Sequence, residues 1–259
     1  MMYFEVDDLR QSYVVAKNEV RKFLRGKRFA IYVVITIVAF ALLTLLPYVT
    51  DFDPSEMFGS SIVLHFNFVS HVALLAAVLF ASVVFVSEFE ERTALVLFTR
   101  PIKKTSIFIG KVIGCITLEI VIILLFYLGM AAVALFNGES ITIHFFESLG
   151  MVSLYIVAAS SVAVFISSIM KKGSTCVIMT FVLLWMMLPI ITMILSFSSI
   201  EPWFMLDWAA YAIVPSDIPG MMGGFGSSVP DLAEAAATMI GWSAVSLVLA
   251  WIAFIKREF

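Results

Sequence analysis

Phe29-Ala-Ile-Tyr-Val-Val-Ile-Thr-Ile-Val-Ala-Phe-Ala-Leu-Leu-Thr-Leu-Leu-Pro-Tyr-Val-Thr50 carries no charged side chain between Arg28 and Asp51. A hydrocarbon core of ~30 Å is crossed by about 20 helical residues rising ~1.5 Å each, so this run is long enough to span a bilayer. Five further stretches meet the same test. Residues 57–87 are uncharged between Glu56 and Glu88, and the interval from Lys111 to Glu139 is broken only by Glu119. The others are 148–170, 173–200 and 235–255. The fifth contains Pro189, tolerated in lipid as a kink. Composition agrees: of 259 residues 62% are hydrophobic and only 14% charged, and the mean hydropathy is +1.06, well outside the range of soluble domains. The expected fold is an all-α membrane protein with six transmembrane helices.

The charges give an orientation. With connections assigned alternately, one side holds Arg10, Lys17, Arg21, Lys22, Arg25, Lys27 and Arg28. It also holds Arg92, Arg100, Lys103, Lys104, Lys111, Lys171, Lys172, Lys256 and Arg257, which completes the 16 Lys and Arg of the chain. The other side carries acids from Asp51 to Glu234 and no Lys or Arg. The positive-inside rule makes the first side cytoplasmic, with both termini there. The expected division is a cytoplasmic interfacial segment 1–28, a six-span domain 29–255 and a cytoplasmic tail 256–259. The first apolar run begins only after Arg28 and no small-residue cleavage pattern follows it, so the first span is expected to stay as its own insertion signal. Cys115 and Cys176 both fall in apolar stretches and read as small buried hydrophobes rather than a disulfide, metal or redox motif.

Two segments outside the spans have helical patterning. Over 9–28, Leu9, Tyr13, Ala16, Val20 and Leu24 share a face, with Arg10, Lys17, Arg21, Arg25 and Arg28 beside it. An interfacial helix with its basic side toward anionic headgroups is one reading; a basic flank that orients the first span is the other. After span two the chain reads Ser87-Glu-Phe-Glu-Glu-Arg-Thr-Ala-Leu-Val-Leu-Phe-Thr-Arg-Pro-Ile-Lys-Lys104. Ser87 and Glu90 have capping-box spacing, and Glu88 to Glu91 place negative charge at the positive end of a helix dipole. Pro101 ends the helix at Arg100. Phe89, Val96 and Leu97 form an apolar ridge between charged shoulders, a docking surface for a cytoplasmic partner.

The stretch from Ser87 to Lys111 resembles the signature of ATP-binding cassette permeases of the second type, the NosY-like group: an acid-rich helix, a T-x-x-L-L-x-(S/T)-R-P tail, a short basic turn, and an apolar entry ending Gly-Lys. Glu88, Glu91, Thr93, Leu97, Thr99, Arg100, Pro101, Gly110 and Lys111 sit at matching places; Arg92 departs from the pattern, where many relatives carry Gly. The resemblance implies an exporter half that pairs with a second copy around a central pathway in the cell membrane. It implies a coupling helix near 88–99 whose Glu88, Phe89, Glu91, Arg92, Thr93, Val96, Leu97, Arg100 and Pro101 meet a separate ATPase subunit, two copies per complex. This chain has no G-x-x-x-x-G-K-[ST], so ATP and Mg are expected in that partner and no cofactor here. Lipids are the other expected contacts, and nucleic acid is not expected.

Within the spans, Glu119 lies eight residues past Lys111, about 12 Å above the inner boundary. It is either a polar group of the pathway or a protonated acid bonded to a neighbouring helix; the pathway reading expects Glu119→Gln to impair transport and spare assembly. His65 and His71 belong to the outer half of span two, and His71 reads as pathway lining or part of a metal or relay site. His144 lies alone in a short outer loop. Met179, Met186 and Met193 repeat every seven residues, as packing or as an adaptable pathway lining. Ser153, Ser160 and Ser167 form a small-residue face, and Gly110 with Gly114 makes a lone GxxxG. The outer connection 198–234, with Pro202, Trp203, Trp208, Tyr211 and a Gly-rich run, is expected to form broken re-entrant or surface-lying helices with its aromatics at headgroup level. A proton-coupled secondary transporter, a membrane scaffold and an intramembrane enzyme are the competing functions; no pair of matching interrupted spans and no nucleophile–base set favours the first or the last.

Overall fold

The computed structural model describes residues 6–50, 55, 60–90, 103–198, 200–215 and 230–256. Among these the chain is helical, with no strand. Six helices are long and apolar enough to cross a membrane: Lys27–Val49, Val63–Glu88, Lys104–Phe136, Ile143–Ile169, Gly173–Phe197 and Leu232–Lys256. They are spans one to six. A helix satisfies its own backbone groups, so a bundle of helices is what this apolar sequence can form in lipid.

Spans two and four form the centre, and small residues let them approach. Ala73, Ala76 and Ala77 on span two and Ala158, Ala159 and Ala163 on span four are fully buried. Span six closes against span four through Ala235, Met239 and Ala250. Span one is peripheral: Tyr32 and Thr36 are its buried residues. The Tyr32 hydroxyl donates to the Val72 carbonyl at 3.1 Å, and the Phe40 ring meets Phe126 edge-on at 5.1 Å.

Element boundaries differ from those expected in three places. Span three starts at Lys104, so Lys111 lies inside the helix rather than at its mouth. Its helix ends at Phe136, and Gly138 just beyond turns the chain away with a φ of 76°, in the left-handed region. Span two is not continuous: the helix Val63–Leu79 gives way to a tight turn over Ala81–Val83 and resumes as Val86–Glu90. In span five the helix Gly173–Phe181 passes into a π-helical turn, Val182–Met187, before Leu188–Phe197. Pro189 offers no N–H to the Trp185 carbonyl, which loosens the ladder where the wide turn forms.

The N-terminal helix, Val6–Leu24, packs on span three with a face that adjoins its apolar one. Asp8, Ser12, Glu19 and Phe23 are buried, while Leu9, Tyr13 and Leu24 are exposed. The contact is made by Gly110 and Gly114. A Cβ at Gly110 would lie 2.5 Å from the Ser12 carbonyl oxygen, and one at Gly114 would lie 2.7 Å from that of Ala16. The GxxxG therefore seats this helix against span three within one chain.

The outer connection contains the short helix Leu206–Ala210 and a turn over Tyr211–Ile213. Over 200–215 it is broken into these short pieces; residues 216–229 lie outside the described residues. Trp203 is exposed, whereas Trp208 is buried in the protein. The Ser148 hydroxyl, bonded to the Tyr127 hydroxyl at 2.6 Å, donates to the Ile213 carbonyl at 2.5 Å.

Candidate functional site

The break in span two frees backbone groups, and three other elements satisfy them. The amides of Phe85 and Val86 donate to the Ser167 hydroxyl of span four at 3.1 and 3.2 Å. The Ser82 carbonyl accepts from the Cys176 thiol of span five at 2.7 Å. The Val84 carbonyl accepts from the Lys111 ammonium of span three at 3.3 Å. Such groups left bare in a buried setting would each cost about 1–3 kcal/mol. The break is thus a built feature that ties residues 82–86 to three spans.

Directly beyond it, charge takes over. Lys111, with its side chain 3% exposed, pairs with Glu19 of the N-terminal helix at 2.8 Å and with Glu88 at 3.0 Å. Lys22 reaches the same Glu88 oxygen at 2.9 Å and Ser87 Oγ at 3.3 Å. Lys103 pairs with Asp8 at 2.7 Å. Glu90 accepts from the Gly173 amide at 3.0 Å, at the N-terminus of span five, where the helix dipole favours an anion. A Cβ at Gly173 would come 2.7 Å from that carboxylate oxygen.

The Ser87–Glu90 capping box is therefore not formed. Ser87 meets Lys22, Glu90 turns to Gly173, and the cap is supplied by Ser167 from span four. Of the residues expected to dock a partner, Glu88 sits inside this ion cluster. The side chain of Phe89, and Glu91, Arg92, Thr93, Val96, Leu97, Arg100 and Pro101, lie outside the described residues, so the helix expected to Thr99 is described only to Glu90.

Deeper in the bundle the polar residues separate. Glu119 is fully buried between spans three and four; its carboxylate accepts from the Ser160 hydroxyl, and from the Cys115 thiol at 3.4 Å. It lines neither the groove along span six nor the cavity beside His71. His65 bridges to span one through Thr44 at 3.1 Å. His71 lines a cavity of about 300 Å³ with Asn67, Ser70, Tyr155, Trp185, Asp207 and Tyr211. Its ring lies 5.2 Å from that of Trp185, edge-on. Burial pushes the Asp207 carboxyl up to about 6 and raises the Tyr211 hydroxyl, the latter also through its acidic neighbour Asp207. His144 is not alone in a loop: it sits in the first turn of span four, with Nδ1 2.7 Å from Glu147. Met179, Met186 and Met193 are all exposed.

A family model described as "ABC-2 family transporter protein" matches residues 15–187, two thirds of the chain. The chain belongs to the ABC-2 transporter family. A comparison with curated protein sequences returns no match. The matched region of this ABC-2 permease runs from the N-terminal helix through four spans to Met187, and so contains Glu19, Lys22, Glu88 and Lys111 of the ion cluster. Glu19, Lys22 and Ser167 belong to the site and did not stand out in the sequence as its members. Two acids on the inward face of a basic helix, eleven residues apart at Asp8 and Glu19, are the available clue: Asp8 pairs with Lys103, just before span three, and Glu19 with Lys111 inside it.

Proposed function

We propose that this protein is the transmembrane subunit of an ATP-binding cassette exporter of the NosY-like group, working as two copies around a central pathway. Its basic end faces the cytoplasm of the cell that bears it in its inner or plasma membrane, with both termini on that side. Separate ATPase subunits, carrying ATP and Mg, dock on the segment from Glu88 to Thr99. The observation that carries this reading is the bracing of residues 82–90. One short segment is bonded to span three by Lys111, to span four by Ser167, to span five by Gly173 and Cys176, and to the N-terminal helix by Lys22. A displacement applied just beyond Glu90 would reach four elements at once, which is what a coupling element requires. A plain connection between two spans needs none of these bonds.

A proton relay linking Glu119 to His71 gains no support: Glu119 is bonded to Ser160 and Cys115, and the cavity beside His71 is not lined by it. Exposure of the methionine stripe on span five leaves it available to a second copy or to lipid. The test is biochemical. The tagged chain is expected to bring down its ATPase subunit and raise that subunit's turnover, and Val96→Arg is expected to abolish both while leaving the helical fold intact. Full transport by the chain alone would refute the proposal.

A further inference from the structure

A groove of about 840 Å³ runs along the flank of the bundle, walled by span six, the outer connection and one edge of spans four and five. Most of its lining comes after Met187, so the family match says nothing about it. Its shaft is apolar, with Phe165, Leu183, Val245 and Leu249. From Glu234 to Leu249 it follows span six over about 22 Å. The mouth differs. Glu201 and Glu234 stand there beside the exposed indole of Trp203, whose ring lies 5.7 Å from that of Phe204. The wall is held in shape: Trp242 Nε1 donates to the Phe204 carbonyl at 2.9 Å and Thr238 Oγ1 to the Trp203 carbonyl at 2.8 Å.

We propose that this groove binds a cationic amphiphile, with one long apolar chain along span six and an amine or quaternary ammonium head between Glu201, Glu234 and Trp203. Two carboxylates and an aromatic face are the groups that recognise such a head, and the apolar shaft takes the chain. A second copy of this chain does not suit the mouth. By the charge partition of the sequence no Lys or Arg falls on the side of Glu201 and Glu234, so a copy in the same orientation would bring further acids and no cation against them. Anionic and zwitterionic lipids would bring a phosphate to the same carboxylates. This inference concerns binding by the chain alone and stands apart from ATPase coupling.

The test uses the full chain in nanodiscs of zwitterionic lipid. The probe is a long-chain quaternary ammonium compound brominated on its tail, set against a neutral analogue with the same tail. Quenching of tryptophan fluorescence reports entry, since Trp203 and Trp242 line the groove. Saturable quenching by the cation and not by the neutral analogue is expected. The double variant Glu201→Gln/Glu234→Gln should weaken it about tenfold, while Glu147→Gln, on the same side but off the groove, should leave it unchanged. Gly241 lines the groove, and a Cβ there meets no atom within 4 Å. Gly241→Phe should therefore fill the shaft without disturbing the helix, and abolish quenching. Equal quenching by both analogues, or indifference to both groove variants, would overturn the proposal. So would a disulfide-linked dimer through Gly241→Cys, which would put a second copy in the groove.

Discussion

Lys111→Met is the most informative single change in this chain. The ammonium lies 2.8 Å from Glu19 and 3.0 Å from Glu88, whose side chains are 6% and 16% exposed. At an effective dielectric constant of about 20, each pair is worth on the order of 4 kcal/mol before desolvation is counted. Removing Lys111 leaves Lys22 to serve Glu88 but leaves the buried Glu19 carboxylate without its cation. Breaking a buried pair in this way costs about 3–5 kcal/mol, a large share of a whole fold's stability of about 5–15 kcal/mol. Glu19→Gln removes the stranded charge, so the double variant should recover part of the loss, with a coupling energy of about 2 kcal/mol. SDS titration in lipid–detergent micelles, followed by far-UV circular dichroism, measures all four corners of the cycle. Losses that add to within about 0.5 kcal/mol would show that Lys111 and Glu19 do not act as a pair, and the bracing account would lose its centre.

Other perturbations test separate parts. Gly110→Ala places a methyl 2.5 Å from the Ser12 carbonyl oxygen; it should cost about 1–3 kcal/mol and speed trypsin cleavage at Arg21 and Arg25, whereas Gly241→Ala should do neither. Asp207 has a folded pKa of about 6, above the ordinary carboxylate value of 3.8. Its raised value means the fold prefers the protonated acid, so that contribution is complete below the ordinary value and is lost as pH rises through about 6. Asp207→Asn should then melt higher than the parent at pH 7.5 and match it near pH 4; parallel curves would refute the burial argument. Glu119→Gln keeps an oxygen for Ser160 and should retain efflux in vesicles, while Glu119→Leu leaves the Ser160 donor without its acceptor and should lose about 1–3 kcal/mol. Loss of efflux in the Gln variant alone would return Glu119 to the pathway.

Much of the architecture follows from charge and length, because a bilayer rewards uninterrupted apolar runs and little else. The stretches around Phe29–Thr50 and 235–255 could only be spans, and the structure finds helices there within three residues of the expected ends. The inward face of the N-terminal helix was not readable in the same way. Periodicity finds which residues share a face, yet Leu9, Tyr13 and Leu24 are free to meet lipid, while Asp8, Ser12 and Glu19 turn toward Lys103, Lys111 and the glycines of span three. Beside a membrane the apolar face need not be the packed one. The break at Phe80–Phe85 was hidden because all its residues are apolar or small, and the partners that make it tolerable, Ser167 and Cys176, lie more than eighty residues away. Glu88 could be read as a helix-start acid from its neighbours; its ion pairs with Lys22 and Lys111 depend on tertiary structure alone.

The proposal that residues 88–99 receive force from a nucleotide-driven partner is tested most directly by a photo-crosslinking residue placed at Val96 in living cells. The expected product is an adduct with the ATPase subunit whose yield changes with nucleotide state. An adduct confined to extracytoplasmic proteins, with no ATPase adduct under any nucleotide condition, would contradict it.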